Sequence, residues 1–187
     1  MIIEKRKFEN RKLLMEFLED RVFHVTTLAA FEGIQQAGKI QNNRSGTLPI
    51  NTSSMSSYGR LHGHVCLFDL RNKSEEVIQH TLDCYYFLGP TWFMKHGRKY
   101  INWHLVYLFL KEEWFSELIP NSAAFAHLRQ KEEYLQVIPD TEVWINECVP
   151  LTWIEKALVV KIRETAPDRS TPSGMYYWAL MRANDKC

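Results

Sequence analysis

The sequence predicts an α+β protein built as one domain over residues 1–187. A chain of 187 residues is long enough to bury one hydrophobic core and short for two ordinary domains. Helix-like spacing of apolar residues dominates the first 40 positions, whereas short apolar runs typical of strands dominate after residue 60. Hydrophobic residues make up 45% of the chain and charged residues 24%, which favours a folded globular protein over a disordered one.

The first 40 residues predict a helix, a strand and a second helix, in that order. Apolar residues recur among charged ones over residues 4–19 at helical spacing, which indicates an amphipathic helix. A short strand-like run follows over residues 21–25. Thr26 or Thr27 then suits the N-cap of the second helix, and Gly38 suits its end, because glycine readily adopts the left-handed backbone of a helix C-terminus.

The rest of the chain predicts a long loop followed mainly by strands. Asn, Ser, Thr and Gly crowd residues 41–63, a length that is usually functional or mobile in a surface loop. We expect strands over residues 64–70, 84–88, 103–110, 142–145 and 157–162, and short helices over residues 72–80, 112–118 and 151–155. An apolar run at 175–181 makes residues 165–187 a candidate docking tail, which packs either on the core or on a partner.

Charge and cysteine content narrow the function classes. Lys and Arg total 23 against 22 Asp and Glu, so the net charge of +1 excludes a global basic field, and nucleic-acid contact would need a local patch. The best such patch is Lys-His-Gly-Arg-Lys at residues 95–99, with a solvated turn as the plainer interpretation. Four scattered cysteines without a CxxC pair, no signal-like start and no apolar run of about 20 residues predict a reduced, cytoplasmic protein without a membrane span.

A metal site can be weighed at His62, His64 and Cys66, which are spaced at i, i+2 and i+4 where the predicted loop leads into the strand at 64–70. Alternation puts the three side chains on one face, and zinc accepts these ligand types. A straight strand spreads them over about 13 Å, however, and a tetrahedral site needs a fourth ligand. We therefore expect no metal site.

Two segments carry groups suited to catalysis. His24 lies on a strand directly before a capped helix, so its imidazole and the backbone amides around Val25 can face one cleft. The alternative is an ordinary core or surface histidine. Glu142 begins a strand after a proline-bounded loop, where a carboxylate can point into a cleft and lose part of its hydration. The alternative there is a solvated carboxylate.

Together these segments resemble the ADP-ribosyltransferase fold, and most closely its DarT-type toxins, which modify nucleic acid. The resemblance lies in His-Val-Thr at 24–26 followed by Gly-Lys-Ile at 38–40, and in Glu-Val-Trp-Ile at 142–145 followed by Val-Pro-Leu-Thr-Trp-Ile at 149–154. It covers residues 23–40 and 141–154. It implies two antiparallel sheets that open around an NAD⁺ cleft, with flanking helices.

The resemblance also implies a role for individual residues. His24 would bind a ribose hydroxyl of NAD⁺, the backbone of Val25 would hold the nicotinamide carboxamide, and Thr26 would buttress the pocket. Glu142 would be the catalytic carboxylate, which binds the 2″-hydroxyl and stabilises the oxocarbenium-like transition state as nicotinamide leaves. Glu147 is the alternative, and we prefer Glu142 because it enters the strand whereas Glu147 falls in the following turn.

An arginine and an aromatic ring complete the implied site. Arg60, 36 residues after His24, is the candidate arginine for the NAD⁺ phosphates or the acceptor, and Arg71 is the alternative. A solvated loop arginine is the competing interpretation of Arg60. The tyrosines that compete to stack on the nicotinamide ring are Tyr85, Tyr86, Tyr58 and Tyr107.

The activity implied by the resemblance is transfer of ADP-ribose from NAD⁺ to a nucleophile, with a nucleobase of DNA or RNA preferred as acceptor. A toxin role would imply an antitoxin or chaperone partner. The alternatives are a protein-directed ADP-ribosyltransferase, an NAD⁺ glycohydrolase, and an RNA 2′-phosphotransferase of similar fold, in which His24, Arg60 and Arg71 would converge. A last alternative is a non-catalytic binding module, in which Glu142 would point away from the cleft.

Overall fold

The structure, a computed structural model, describes residues 1–9, 11–48, 56–84, 91–95, 98–102, 104–122, 124, 135 and 137–162. Over these residues the chain is an α+β fold. The strands are β1 (Ile2–Phe8), β2 (Val22–Thr27), β3 (Lys39–Gln41), β4 (His64–Asp69), β5 (Thr91–Lys95), β6 (Arg98–Asn102), β7 (His104–Leu110), β8 (Ile119–Pro120), β9 (Glu142–Asn146), β10 (Cys148–Pro150) and β11 (Ile154–Ile162). The helices are α1 (Arg11–Leu18), α2 (Leu28–Ala37), α3 (Tyr58–Leu61) and α4 (Glu75–Cys84), with 3-10 helices over Glu112–Glu117 and Leu151–Trp153.

A seven-stranded sheet in the order β1-β11-β7-β2-β4-β9-β8 organises these elements. Its strand pairs are antiparallel except β1 with β11, which are parallel, so the sheet is mixed. Two small antiparallel sheets, β3 with β10 and β5 with β6, complete the sheets of the described residues. The predicted α+β class is confirmed, but the described strands form one large mixed sheet and two small sheets where a pair of antiparallel sheets was expected.

The N-terminal segment explains the difference. Residues 4–8 of the helix expected over residues 4–19 belong to a strand, and the helix is confined to α1. Leu14, Met15 and Leu18 of α1 are fully or nearly fully buried and account for the helical spacing. An ion pair between Glu4 and Lys156 links the N-terminal strand to β11 and favours the extended pairing.

Apolar side chains cover both faces of the large sheet. One face packs against α1 and includes Phe23, Phe68 and Tyr107. The other face packs against α2 and the β3–β10 sheet, through the buried residues Phe31 and Ile40 among others. Successive strand residues point to opposite faces, so each central strand contributes to both clusters.

The predicted strand, helix and terminal glycine around α2 are confirmed. Thr27 caps the helix, since its Oγ1 accepts a hydrogen bond from the Ala30 amide at 3.1 Å. Gly38 ends it with a φ of 70°, in the left-handed region, and its amide donates to the Gln35 carbonyl at 3.3 Å. β2 therefore delivers the chain directly into a capped helix.

The remaining predicted elements are confirmed in part. The strands predicted at 64–70, 142–145 and 157–162 are confirmed as β4, β9 and β11, and 103–110 as β7 from residue 104. Residue 84, expected to open a strand, ends α4, and residues 58–61 of the expected loop form α3. The rest of the strand expected at 84–88 and the tail at 165–187 lie outside the described residues. No helix of the described residues is long and apolar enough to cross a membrane.

β2 and β4 pair only briefly, and this opens the large sheet. β2 pairs with β7 over five residues, from Phe23 to Thr27. It pairs with β4 only at Val22 and Phe23. β4 continues to pair with β9 over five residues. The two central strands therefore part after Phe23, which creates a split beside His24.

Candidate functional site

His24 bridges the split between β2 and β4. Its Nδ1 lies 2.8 Å from the carbonyl oxygen of Cys66. A carbonyl oxygen can only accept, so Nδ1 carries the proton in this hydrogen bond. Burial lowers the pKa of His24, and the hydrogen bond to Cys66 opposes that effect only in part. The ring is therefore neutral near pH 7, and its Nε2 is a hydrogen-bond acceptor suited to a hydroxyl.

Val25 and Thr26 follow His24 on β2, and both are half-buried. On one side their backbone runs beside Tyr107 and Val106 of β7. On the β4 side, this part of β2 has no strand partner among the described residues. A strand edge of this kind presents backbone amides and carbonyls to a ligand.

Glu142 is buried at the start of β9, with 4% of its surface exposed. Its Oε1 accepts a hydrogen bond from the Trp144 indole Nε1 at 2.8 Å, and its Oε2 accepts one from the Ile138 amide at 2.8 Å. Burial raises the pKa of Glu142, and these two hydrogen bonds lower it in part. The carboxyl group therefore takes up a proton at a higher pH than an ordinary glutamic acid.

The position of Glu142 relative to His24 follows from the strand register. Phe23 pairs with Phe68, and Phe68 pairs with Glu142, so these three side chains share one face of the sheet. His24, next to Phe23, leaves β2 on the opposite face. His24 and Glu142 therefore approach the split from its two sides.

Cys66 is the point at which the separate elements meet. Its carbonyl accepts from His24, and its thiol lies 3.5 Å from Ser57 Oγ. Burial raises the pKa of the Cys66 thiol, and the nearby Glu142 carboxylate raises it further. The thiol is therefore protonated at neutral pH. From the sequence, Cys66 was a candidate only as a metal ligand. Its position on β4, between β2 and β9, follows from the order of strands in the sheet.

Arg60 reaches the same centre through its backbone. It lies in α3, which is capped by Ser57, whose Oγ accepts from the Arg60 amide at 3.4 Å. The Arg60 amide also lowers the pKa of the Cys66 thiol, after the larger effects of burial and Glu142. The guanidinium points elsewhere, since Nη1 donates to the Asn43 carbonyl at 3.1 Å. Arg60 is thus half-buried beside the site, with its charge directed toward the loop after β3.

Arg71 lies at the other end of β4, so the structure does not bring it together with Arg60. Its Nε and Nη2 bind the two carboxylate oxygens of Asp69 at 2.9 and 2.7 Å. Its guanidinium also lies 4.0 Å from the centre of the Phe115 ring. Asp69 lies three residues, or about 10 Å, along β4 from Cys66, beside which the Arg60 amide lies. Arg71 is therefore committed to a local ion pair.

The four candidate tyrosines differ in their placement. Tyr85 and Tyr86 lie outside the described residues. Tyr107 is fully buried and packs edge-on against Phe23 at 5.5 Å, inside the core. Tyr58 is 7% exposed and stacks on Trp144, with ring centres 5.1 Å apart. Neither described tyrosine presents an open ring face to the split.

Glu147 has a structural place. It is exposed in the turn between β9 and β10, with a φ of 61°. Its carbonyl accepts from the Asn42 amide at 3.0 Å, and its own amide donates to the Gly63 carbonyl at 3.2 Å. The turn placement agrees with the preference for Glu142.

His62 and His64 join aromatic stacks and do not converge with Cys66. His62 stacks on Tyr58 at 4.0 Å, and His64 stacks on Trp144 at 5.6 Å. Within the described part of the chain, no cluster of three or more His, Cys, Asp or Glu residues is arranged to hold a metal ion.

Trp144 is the second residue of the site that the sequence analysis does not single out. It is buried, with 1% of its surface exposed. Trp144 lies two residues after Glu142 on the predicted strand, and residues i and i+2 of a strand share a face. This spacing is the feature of the sequence that could have predicted their contact.

A cleft of about 460 Å³ lies between α4 and the turn that precedes β9. It is lined by Glu76, Val77, Gln79, His80, Thr81, Pro139 and Asp140. None of these residues was expected to bind NAD⁺. The cleft therefore lies beside the turn that holds Glu142, and does not coincide with the split at His24.

No protein-family model matches the chain, and no curated protein or solved structure matches it. The geometry of the site and the resemblance of residues 23–40 and 141–154 are therefore the grounds for a function.

Proposed function

We propose that this chain is an ADP-ribosyltransferase that uses NAD⁺ as substrate. The observation that carries the proposal is the meeting of three separate segments at Cys66. His24 bonds its carbonyl, the Arg60 amide lies at its thiol, and the Glu142 carboxylate lies beside that thiol. The resemblance alone groups these residues in one site. They lie on three different elements of the fold, so their meeting does not follow from closeness in the sequence.

In the proposed reaction, the bond between C1″ of the nicotinamide ribose and the ring nitrogen of nicotinamide breaks. The electron pair leaves with nicotinamide and neutralises its ring charge, so positive charge develops on the ribose. Glu142 stabilises that charge as a carboxylate, while neutral His24 accepts a hydrogen bond from a ribose hydroxyl. The acceptor then bonds to C1″ and releases its proton to Glu142 or to solvent.

The burial of Glu142 sets a condition on this mechanism. The carboxylate accepts hydrogen bonds from the Trp144 indole, the Ile138 amide and the Cys66 thiol, which leaves lone-pair capacity for one more donor. A ribose hydroxyl reaches the carboxylate only if the turn at residues 138–141 moves. Asp140 in that turn has a φ of 60°, an uncommon conformation for a residue other than glycine.

The proposed acceptor is a nucleobase of DNA or RNA, and the proposed biological role is that of a toxin with an antitoxin or chaperone partner. Both follow from the DarT-type resemblance. Lys95 and Arg98, cations of the proposed phosphate patch, end β5 and begin β6 and pair with each other in register. The sequence places several basic residues within 95–99, which is the charge that contact with a phosphate backbone requires.

A non-catalytic binding module is the second candidate, and the burial of Glu142 favours it. Both carboxylate oxygens already have donors from the chain itself, as expected of a structural carboxylate. A phosphotransferase has less support, because the Arg60 guanidinium binds the Asn43 carbonyl whereas that of Arg71 binds Asp69, so the two charges do not converge.

The test is mass spectrometry of the protein with NAD⁺ and separate DNA, RNA and protein acceptors. We expect one ADP-ribose adduct on one acceptor class, and a fall of roughly 10²–10³-fold in its rate in Glu142→Gln. Glu147→Gln is the matched control, since the same substitution is made five residues away at an exposed turn. It should retain the wild-type rate.

The outcomes separate the candidate functions. Free nicotinamide without an adduct would indicate a glycohydrolase. Binding of NAD⁺ without any release of nicotinamide would support the binding module. Equal rates in Glu142→Gln and the wild type would refute the assigned role of Glu142.

A further inference from the structure

The indole of Trp144 holds one oxygen of the Glu142 carboxylate. Nε1 donates to Oε1 at 2.8 Å, within the range of a strong hydrogen bond to an ionised acceptor. Both side chains are buried, at 1% and 4% exposure. They lie two residues apart on β9 and therefore leave the sheet on the same face.

The indole itself is held by stacked rings. Tyr58 stacks on Trp144 at 5.1 Å with an angle of 28° between the rings, and His64 stacks on it at 5.6 Å and 11°. Gly59 allows α3 to approach so closely, since a Cβ there would lie 2.6 Å from the Trp144 Nε1. The rings around the indole therefore restrict the position of its N–H group.

We propose that Trp144 is a positioning residue for Glu142: its indole N–H fixes the carboxylate in the orientation that faces the reacting ribose. This inference rests on the proposed function. The Ile138 amide holds the other oxygen, but it belongs to the turn at residues 138–141 that has to move before a ribose can enter. Trp144 lies on β9 and keeps its place when the turn moves, and it is a positioning residue because it acts through Glu142.

The hydrogen bond should also control the ionisation of Glu142. An N–H donor favours the ionised form, so the Trp144 hydrogen bond lowers the pKa of Glu142 against the larger effect of burial, which raises it. The Cys66 thiol of β4 also hydrogen-bonds Glu142 and lowers its pKa, with a smaller effect than Trp144 or the Ile138 amide. That bond remains in Trp144→Phe, and because the thiol is neutral it does not replace the larger effect of the lost indole N–H.

Trp144→Phe is the direct test, because phenylalanine keeps an aromatic ring and removes the N–H donor. The first measurement is the ¹³C NMR titration of the Glu142 carboxyl carbon, identified by its absence from Glu142→Gln. We expect it to titrate at higher pH in Trp144→Phe than in the wild type. We also expect kcat to fall roughly tenfold, with little change in KM for NAD⁺ and with the acid limb of the pH profile moved to higher pH.

Trp153→Phe is the matched control. Trp153 is half-buried and stacks on Trp114 at 4.0 Å, in the cluster on the other face of the sheet. The same change of side chain there should leave the Glu142 titration and the acid limb unchanged. A shift common to both variants would indicate a general loss of stability and would overturn the positioning role.

A measurement on the unmodified protein covers the case in which Trp144→Phe does not fold. The ¹⁵N–¹H resonance of the Trp144 indole should follow the ionisation of Glu142. The inference would be overturned, at any rate of turnover, if the indole chemical shift does not change as Glu142 ionises. It would also be overturned if the Glu142 carboxyl carbon titrates at the same pH in Trp144→Phe and in the wild type. If the indole resonance and the Glu142 carboxyl carbon titrate together but the protein never releases nicotinamide, the hydrogen bond is confirmed and the proposed function is overturned.

Discussion

Substitution of Gly59 by alanine should destabilise the fold at the candidate site. A Cβ at this position would lie 2.6 Å from Cys66 Sγ, 2.6 Å from Trp144 Nε1 and 2.8 Å from Trp144 Cδ1. Such distances are shorter than van der Waals contact, and the surrounding side chains are held by β4 and β9. The neighbours or α3 must therefore move by several tenths of an ångström.

The expected cost follows from two opposing effects. An extra methyl group in a packed interior costs about 1–3 kcal/mol. Alanine offsets up to about 1 kcal/mol of this, because it favours helix over glycine, but α3 has only four residues. A shift of Trp144 also lengthens its 2.8 Å hydrogen bond to Glu142, which costs about 1 kcal/mol more when the groups are buried. We expect the free energy of unfolding to fall by about 2 kcal/mol.

Gly33→Ala provides the matched control. Gly33 lies inside α2 and is exposed, and a methyl group added there would meet nothing within 4 Å beyond its own helix backbone. The same change should therefore stabilise the protein by about 0.5–1 kcal/mol, because alanine favours the helix and no contact opposes it. The two substitutions thus have opposite predicted signs.

Urea unfolding followed by tryptophan fluorescence and circular dichroism measures both variants. Equal slopes with different midpoints would report a change in stability alone. A Gly59→Ala protein that unfolds at the wild-type midpoint or above it, while Gly33→Ala is stabilised, would refute the predicted clash. That result would mean that α3 moves away from Trp144 at no cost.

Two further predictions concern the cap of α2 and the buried histidine. Thr27→Ala should lower the free energy of unfolding by about 1 kcal/mol, since it removes the oxygen that accepts from Ala30, and Thr27→Ser should recover most of the loss in urea unfolding. His24 has a lowered pKa, so the unfolded chain binds more protons below pH 6.5, and stability should fall as the pH drops through that range. The urea midpoint of His24→Gln should therefore fall less at low pH than that of the wild type, and an equal fall in the two proteins would contradict the burial of the ring. Glu142, whose pKa is raised, changes the stability in the opposite direction, but it does so in both proteins and leaves their difference unaffected.

Local signals in the sequence predicted local structure well. The N-cap oxygen of Thr27 and the left-handed backbone of Gly38 act within one helical turn, so the ends of α2 could be read from neighbouring residues. β1 shows the opposite case. Its residues are mostly exposed and charged, and it is a strand because β11 lies beside it, about 150 residues further along the chain.

The candidate site divides in the same way. His24 and Glu142 could be selected from residue type and position in their segments. Their common neighbour Cys66 could not, because it becomes central only through the strand order β2-β4-β9. The sequence also could not predict that both oxygens of Glu142 accept hydrogen bonds within the chain, since one donor comes from a turn whose backbone geometry has no simple signature.

The pairing of β1 with β11 has a consequence for how the protein is made. The two strands are separated by roughly 150 residues, so synthesis at about 5–20 residues per second leaves the first strand without its neighbour for roughly 8–30 s. Closing so long a loop costs chain entropy before the two strands gain the free energy of pairing, and this slows folding. Ile2 and Ile3 are exposed even in the folded protein, and the adjacent cations Lys5, Arg6 and Lys7 oppose association between chains at this edge of the sheet.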